Sequence, residues 1–241
     1  MIRNAELKQL DPRDKQITDR LLQAAELVFA DKGLEKATLR EITKLAEVNL
    51  AAVSYYFGSK SDLALAVFDQ LSTRLNERRL ADLESNLSEA RQAGRPPDLR
   101  SILTIFIRPY VETGKSGRLF ARLVMQHRVA PSDLTKAIVQ RHFDPMAKRF
   151  IQGIAEAAPH LDASELFWRY VFMIGCVVYS VADLGVLDRT AQLSEGKVDI
   201  SDDREFREAM MNFLFGGMMW DSHVPKAVAK SAAPRKIVKA R

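Results

Sequence analysis

The residues of this chain that are best suited to chemistry lie in one short stretch near its N-terminal end. Residues 47–63 read EVNLAAVSYYFGSKSDL, so that Tyr55, Tyr56 and Phe57 are followed within three residues by Lys60. So short a helix cannot bury two adjacent tyrosines, and phenolic hydroxyl groups at a helix edge are good donors to phosphate oxygens. Lys60, at the start of the next helix, adds an ammonium and free backbone N–H groups. The stretch therefore predicts contacts with a nucleic-acid backbone; the alternative is that the tyrosines complete a small core.

No other combination of reactive residues has a spacing that predicts catalysis. The chain has four histidines, without the paired spacing of metal ligands, namely His127, His142, His160 and His223. Cys176 lies in an apolar run, where a lone cysteine is usually inert packing. Gly216 and Gly217 do not form a phosphate-binding loop. We therefore predict no catalytic residues, no metal and no cofactor, and a protein that is not an enzyme.

The charge of the chain is concentrated at one end. The net charge is +5, and residues 221–241 alone supply six basic residues and one acidic residue, so that residues 1–220 are neutral. We interpret 221–241 as a basic, disordered tail, and the net charge is no evidence that the folded part binds DNA. The single cysteine favours a reducing compartment. The longest apolar run has 13 residues and no signal peptide is visible, so we expect a cytoplasmic protein without a membrane span.

The elements that must position these residues are helices. Apolar residues recur with helical spacing along most of the chain, and no alternating strand pattern or internal repeat is visible. The pattern predicts an all-α fold of about nine helices, over residues 17–29, 39–46, 50–56, 59–90, 99–111, 119–127, 134–157, 163–184 and 206–220. A small N-terminal domain over 15–75 and a larger helical domain over 76–220 are the natural division.

Residues 38–57 have the pattern of two helices joined by a short turn. Thr38 and Glu41 fit a capping box, and Asn49 is a strong N-cap type that lets the second helix begin sharply after the turn at 47–49. The residues expected to face a common core are Ile42, Leu45, Val48, Val53 and Phe57. This geometry is a helix-turn-helix, whose second helix lies in the major groove of DNA.

The same residues resemble a known family, the TetR-type transcriptional regulators. The resemblance covers about residues 15–75 and rests on Leu27-Val28-Phe29-Ala30-x-x-Gly33, Thr38-Leu39-Arg40-Glu41-Ile42, Ala46-x-Val48 and Tyr55-Tyr56-Phe57-x-Ser59-Lys60-x-x-Leu63. It implies a dimeric, all-helical repressor that binds palindromic double-stranded DNA and holds a small-molecule pocket in its C-terminal domain. The predicted DNA-binding residues are Thr38, Arg40, Asn49, Leu50, Ala51, Ser54, Tyr55, Tyr56 and Lys60. We expect the DNA backbone to be contacted mainly by Thr38, Arg40, Tyr55, Tyr56 and Lys60. The residues expected near the base edges are Arg40, Leu50, Ala51 and Ser54.

The sequence departs from the family pattern at the turn and in the recognition helix. Glu47 replaces the usual glycine, and Leu50, Ala51 and Ala52 replace frequent polar readers. Base readout is then expected to use apolar contact with thymine methyl groups, together with Arg40 and Ser54. An alternative is a helical protein-interaction module with a degenerate helix-turn-helix.

The larger domain is expected to hold the effector and the dimer interface. The recognition-helix segment and residues 167–175 resemble a subgroup that responds to fatty acids or acyl-CoA; an aromatic or drug-like effector is the alternative. The predicted apolar pocket walls are Phe106, Tyr110, Phe120, Phe150 and Met173, and the predicted polar end is His127, Arg122 or Arg169. The homodimer is predicted from apolar stripes of the last two helices, consisting of Trp168, Phe172, Val177, Val178, Val181 and Leu184 with Phe206, Met210, Phe213, Leu214 and Met218. The alternative is that both stripes belong to the core of a monomer.

Overall fold

The chain folds into helices throughout the part that the structure describes. The computed structural model describes residues 11–182, 185–199 and 202–221. Within these residues there are ten helices and no strand, which are α1 Pro12–Lys36, α2 Leu39–Leu45, α3 Ala51–Tyr56, α4 Lys60–Gln92, α5 Leu99–Val111, α6 Lys115–Val129, α7 Asp133–Ala157, α8 Ala163–Ala182, α9 Val186–Leu193 and α10 Asp203–Met219. The all-α prediction is confirmed.

The helices begin where short polar side chains can accept hydrogen bonds from their first free N–H groups. Asp11, Ser59, Asp98 and Asp202 do this for α1, α4, α5 and α10. Ser132 forms a capping box at the start of α7. These caps are local in sequence, which explains why most of the helix starts could be predicted.

The described residues contain ten helices, where about nine were predicted, and the additional helix is α9. Helix α9 was missed because its eight residues span only about two turns, too short a stretch for apolar periodicity to stand out. The predicted domain boundary at 75/76 falls inside α4, which continues from Lys60 to Gln92 without a break. The basic tail after Asp221, as well as Leu184, lies outside the described residues.

Helix α4 packs against helices of both the N-terminal and the C-terminal part of the molecule. Its contacts include α1 on one side and α5, α6 and α7 on the other. The buried positions recur every fourth residue, and this row consists of Leu63, Val67, Leu71, Leu75, Arg79, Leu83 and Leu87. Because an α-helix advances by 3.6 residues per turn, such a row winds slowly around the helix. The buried side of α4 therefore turns from the N-terminal domain towards the C-terminal one.

Seven aromatic rings, in two groups of contacting rings, fill the C-terminal core. Ring centroids lie 5.3 Å apart for Tyr110 and Phe120, 5.2 Å for Phe106 and Phe150, and 6.0 Å for Phe106 and Tyr170. Phe68 and Phe143 extend the cluster around Phe120. We call these seven rings the aromatic cluster; they come from α4, α5, α6, α7 and α8 and hold those five helices together.

Polar contacts join the N-terminal domain to this core. The buried Glu26 of α1 accepts hydrogen bonds from Arg74 of α4 and Ser116 of α6, each at 2.9 Å. Lys115 of α6 also pairs with Asp31 of α1. We call this set the α1–α6 junction, and it ties α1 to the first turn of α6.

Helix α8 is half buried and half exposed. By length and composition alone its 20 residues could cross a membrane, with a mean hydropathy of 1.3, although one such helix is weak evidence because core helices pass the same test. Its buried side contacts α5, α6, α7 and α10. Its exposed side carries large apolar side chains, namely Phe167, Trp168, Val171, Phe172 and Tyr179, next to Phe213, Met219 and Trp220 at α10. We call this exposed surface the α8–α10 face.

Candidate nucleic-acid interface

The helix-turn-helix begins at a complete capping box. Thr38 Oγ1 accepts from the backbone N–H of Glu41 at 3.3 Å, and Glu41 Oε2 accepts from the backbone N–H of Thr38 at 3.1 Å. A further hydrogen bond from Lys32, together with those from Thr38, lowers the pKa of Glu41 to about 2. The carboxylate is therefore ionised at neutral pH, and α2 is fixed at its N-terminal end.

The turn between α2 and α3 has left-handed backbone at Glu47, with φ of 52°. The resemblance predicted this position to need glycine, because L-residues are disfavoured in that region. Arg20 of α1 donates to the carbonyl of Glu47 at 3.1 Å and to its carboxylate at 3.2 Å. This contact holds the turn against α1 in spite of the unfavourable φ.

Helix α3 presents an exposed face with mixed chemistry. Leu50, Ala51 and Ser54 are exposed there, with Arg40 of α2 also exposed. The Asn49 side chain accepts from the backbone N–H of Ala51 at 2.9 Å, but the N-cap position is Leu50 and not Asn49 as predicted, and the helix begins at Ala51. These residues are free to reach a groove.

The small core behind α3 differs from the prediction at one position. Ile42, Val53 and Phe57 are buried as expected, and Val48 is half-buried against the same core. Leu45 was wrongly placed there, since 53% of it is exposed. Leu45 is the last residue of α2, and three residues of helix place it about 60° around the axis from Ile42, at the exposed edge of the buried side.

The two tyrosines of α3 have different surroundings. Tyr55 is 71% exposed and packs edge-on against Tyr56, with centroids 4.8 Å apart. Tyr56 is buried, and its hydroxyl donates to Asp14 Oδ1 of α1 at 2.6 Å. That hydrogen bond raises the pKa of Tyr56 to about 12, with burial adding to the effect. The predicted phosphate contact of Tyr56 is corrected, because its hydroxyl is already bound within the chain.

Lys60 also has its partners within the chain. Its ammonium donates to the carbonyls of Leu34, Glu35 and Ala37 at 2.8, 3.3 and 3.2 Å, which use its three N–H groups. These carbonyls close the C-terminal end of α1, where a cation is favourable. The first turn of α4 already holds the carboxylate of Asp62, bonded to the cap Ser59. The prediction that Lys60 binds phosphate is therefore corrected to a helix-capping position.

The predicted pocket residues separate into a core group and a scattered group. Phe106, Tyr110, Phe120 and Phe150 meet in the aromatic cluster, and Met173 is buried on α8. None of the three predicted polar ends lies with them. Arg122 donates to the carbonyl of Ala182, and Arg169 donates to the carbonyls of Gly217, Met218 and Trp220 at the C-terminal end of α10. His127 lies apart, at a cleft described next.

The cleft at His127 lies between the two domains and has a volume of about 280 Å³. It is lined by Lys60, Ala64 and Phe68 of α4, by residues of α6 and by the start of α7. The His127 Nδ1 atom is buried and unpaired, and burial lowers the pKa of the ring, with Arg128 and Lys136 adding to the effect. The imidazole is therefore favoured in its neutral form.

A buried cation that sequence reasoning missed lies in the aromatic cluster. Arg79 of α4 is 1% exposed, and its guanidinium carbon lies 4.7 Å from the ring centroid of Tyr110 and 5.1 Å from that of Phe106. The sequence did carry a signal for it. Arg79 occupies one position in the row of apolar residues that recurs every fourth residue along α4, where a leucine would be expected.

Comparison with known proteins agrees with both halves of this architecture. The family model described as bacterial regulatory proteins, tetR family, matches residues 21–67, which contain the helix-turn-helix. The model described as tetracyclin repressor-like, C-terminal domain, matches residues 104–217. The chain belongs to the TetR family. Members of the TetR family are DNA-binding regulators.

Individual TetR-family proteins are similar to this chain either in sequence over part of its length or in fold over most of it. The transcriptional dual regulator CecR of Shigella flexneri is 34% identical over 96 residues, which are 40% of this chain and 42% of CecR. The chain thus matches less than half the length of such curated relatives. A TetR-like regulator from Rhodococcus sp. RHA1 has a TM-score of 0.54 and 18% identity, covering 89% of this chain and 96% of that one. The fatty acid degradation regulator FadR from Bacillus halodurans has a TM-score of 0.54 and 16% identity, covering 83% and 98%.

The two tyrosines provide a matched pair of variants. We expect Tyr55→Phe to weaken binding to operator DNA by about 0.5–1.5 kcal/mol without changing stability, because it removes an exposed hydroxyl. Tyr56→Phe should instead lower the free energy of unfolding by about 1 kcal/mol. The folded-state pKa of about 12 lies above the unfolded value of about 10, so this stabilisation is present below pH 10 and is lost as the pH rises towards 12. Urea denaturation between pH 7 and 12 measures the stability of both variants, and titration with operator DNA at pH 7 measures their affinity. If Tyr55→Phe and Tyr56→Phe weakened DNA binding equally, the different roles given to the two tyrosines would be contradicted.

Lys60 and Arg40 provide a second pair. We expect Lys60→Met to lower the free energy of unfolding by about 1–2 kcal/mol, since three carbonyls lose their donor, and to leave the salt dependence of DNA binding unchanged. Arg40→Ala should leave stability unchanged and reduce the slope of log K against log salt by about 0.9, the value for one phosphate. Fluorescence anisotropy at several salt concentrations measures the slope. If Lys60→Met also reduced the slope of log K against log salt, Lys60 would have to be assigned as a phosphate contact after all.

Proposed function

We propose that this chain is a ligand-responsive, sequence-specific DNA-binding repressor that acts as a homodimer on a palindromic operator. The observation that carries the proposal is the exposed face of α3, with Leu50, Ala51, Ser54 and Tyr55 on a helix-turn-helix whose other side is buried. An interaction module with a degenerate motif would not need the Asn49 hydrogen bond and the Arg20 contact to fix this helix in place. The folded body is neutral, so specificity has to come from this face.

The α8–α10 face supports the homodimer. Its large apolar side chains are contiguous on one side of the molecule, and Trp168 stacks on Phe172 with centroids 6.0 Å apart. Gly175 and Gly216 have open space where a side chain would stand, which allows close approach of another helix. Two such faces related by a two-fold axis form a four-helix interface. The buried members of the predicted stripes, such as Val177 and Leu214, belong to the core of each protomer.

The aromatic cluster supports an apolar effector. Its rings and the buried Met146 and Met173 form an apolar interior with adaptable side chains, which suits a flexible acyl chain. The FadR of Bacillus halodurans, by its name a regulator of fatty acid degradation, shares the fold. We therefore propose a fatty acid or acyl-CoA as the effector class.

The α1–α6 junction provides a route from effector to DNA. Phe120 of α6 lies in the aromatic cluster, and Ser116 on the preceding turn bonds to Glu26 of α1. A ligand that displaces α6 or α4 would therefore move α1 and the helix-turn-helix with it. In a dimer the two recognition helices must match successive major grooves, about 34–36 Å apart, so a small rotation reduces affinity.

The proposed function is tested with the DNA upstream of the gene. We expect the protein to retard that fragment at 150 mM salt and to protect an inverted repeat, and long-chain fatty acid or acyl-CoA to release it. Unrelated DNA of the same length is the control for specificity, and a planar aromatic compound is the control for the ligand. Binding of both DNAs with equal affinity would contradict sequence-specific recognition. If only the aromatic compound released the DNA, the effector would be an aromatic molecule and not a fatty acid or acyl-CoA.

The dimer is tested by placing charge in the α8–α10 face. We expect Phe172→Glu, at a residue that is 65% exposed, to convert the dimer to a monomer at micromolar concentration and to weaken operator binding at least 100-fold. Leu134→Glu, at an apolar residue of α7 that is 49% exposed, is the matched control and should remain a dimer. Sedimentation velocity measures both. A wild-type monomer that binds the operator as a single unit would contradict the proposed assembly.

A further inference from the structure

The guanidinium of Arg79 is enclosed without an acidic partner. Its Nη1 atom donates to Asn76 Oδ1 at 3.3 Å and lies 3.8 Å from Met146 Sδ, and both of these groups are neutral. No carboxylate forms a salt bridge with it among the residues that the structure describes. An arginine keeps its charge at any physiological pH, and a buried charge without a counter-ion is strongly unfavourable. The position therefore calls for an explanation beyond packing.

The unpaired atoms of Arg79 form one edge of the guanidinium. Both Nε and Nη2 are fully buried and have no hydrogen-bond partner in the described part of the chain. These two nitrogens point their N–H groups the same way, at the spacing of the two oxygens of a carboxylate. Nη1, on the other edge, is the atom that Asn76 holds in place. The guanidinium is thus fixed on one side and free for a two-pronged contact on the other.

The surroundings of this edge suit the apolar part of an acid. The rings of Phe106, Tyr110 and Phe120 lie with their centroids 5.1, 4.7 and 5.9 Å from the guanidinium carbon. They stabilise the cation through their faces and offer apolar walls at the same time. Burial raises the pKa of the nearby Tyr170, so its phenol stays protonated. In such a dry environment a charge-assisted hydrogen bond is stronger than at the surface.

Room for a ligand can come from flexible side chains. Met146 lies directly against Arg79, and a methionine changes its shape easily. Pro145 removes one backbone hydrogen bond from α7 immediately before Met146, and Pro109 does the same in α5 immediately before Tyr110. Two of the helices around the site are therefore weakened next to the residues that would have to move.

We infer that Arg79 is the anchor for the carboxylate of an amphipathic organic acid, held by Nε and Nη2 with its apolar part among the rings of the aromatic cluster. This inference rests on the proposed ligand-responsive function, and it narrows the proposed effector to a free acid. A CoA thioester lacks the free carboxylate, and its large charged head group cannot enter this core. The anchor is Arg79, in place of the sequence-predicted His127, Arg122 and Arg169.

The test compares acids with their neutral counterparts in the absence of DNA. Dodecanoate is paired with dodecan-1-ol and 2-naphthoate with 2-naphthol, and dodecanoyl-CoA is a further probe; calorimetric titration of the full chain gives each affinity. We expect the wild type to bind at least one acid ten-fold or more tightly than its alcohol. Arg79→Met should reduce this ratio to about one. Arg78→Met, which removes the neighbouring exposed arginine of the same helix, should leave it unchanged.

Two results would overturn the inference. One is a wild type that prefers neither acid over its alcohol, and the other is an Arg79→Met protein that keeps the preference. If Arg79→Met does not fold, Arg79→Lys, which keeps the charge without the two-pronged edge, replaces it. In that case NMR spectra are also recorded on wild-type protein with ¹⁵N-labelled arginine. The slowly exchanging Nε–H signal that is missing from Arg79→Lys belongs to Arg79. We expect this signal to shift when the acid is added and to stay unchanged when the alcohol is added. A signal that does not shift with the acid counts against the anchor.

DNA release separates this inference from the proposed function. Acid binding that depends on Arg79 but leaves the operator complex intact would support the site and contradict ligand-controlled repression. Release by dodecanoyl-CoA or an alcohol, and by neither acid, would support the regulator and overturn the carboxylate anchor.

Discussion

Helix α4 belongs to both halves of the molecule, and both cores are built against its buried side. Its first residue, Lys60, closes the end of α1, and Arg74 two-fifths of the way along bonds to Glu26 of α1. Beyond Arg79, Leu83 and Leu87 pack against α7, where a Cβ atom at Gly153 would lie in ordinary contact with them, at 3.4–3.6 Å. A helix held at both ends in this way cannot shift in one domain alone. This constraint makes communication between the domains a matter of rigid-body displacement.

The contacts within the C-terminal core differ in kind from those that join it to the N-terminal domain. The C-terminal core is held by ring packing, which resists deformation because interiors are close-packed. The α1–α6 junction is instead made of a few polar contacts, through Glu26 and Ser116 and through Asp31 and Lys115. Gly117 adds a tight point, since a Cβ atom there would lie 2.4 Å from the carbonyl oxygen of Tyr110. A displacement of α5 near Tyr110 would therefore reach the first turn of α6 directly.

What the sequence could predict was local. The capping box at Thr38, the turn at Glu47 and the apolar face of α2 and α3 depend on residues within a few positions of one another. They were predicted correctly apart from Leu45 and the N-cap position of α3. Lys60 and Tyr56 were misassigned because their partners lie 26 and 42 residues away, at Leu34 and Asp14. An exposed-looking donor cannot be told from a satisfied one without the tertiary fold. Arg79 was visible in principle, as a charge in a row of leucines, but only the packing shows which of its nitrogens are free.

The free edge of Arg79 also has a consequence for the stability of the empty protein. A guanidinium enclosed without partners on two of its nitrogens lowers the free energy of unfolding, because the hydration lost on folding is not replaced. Proteases act on the fraction of molecules that opens, and that fraction rises tenfold for about every 1.4 kcal/mol of stability lost. Chains with an anion at Arg79 would be degraded more slowly than empty ones. The supply of ligand would then set the amount of the protein in the cell as well as its conformation.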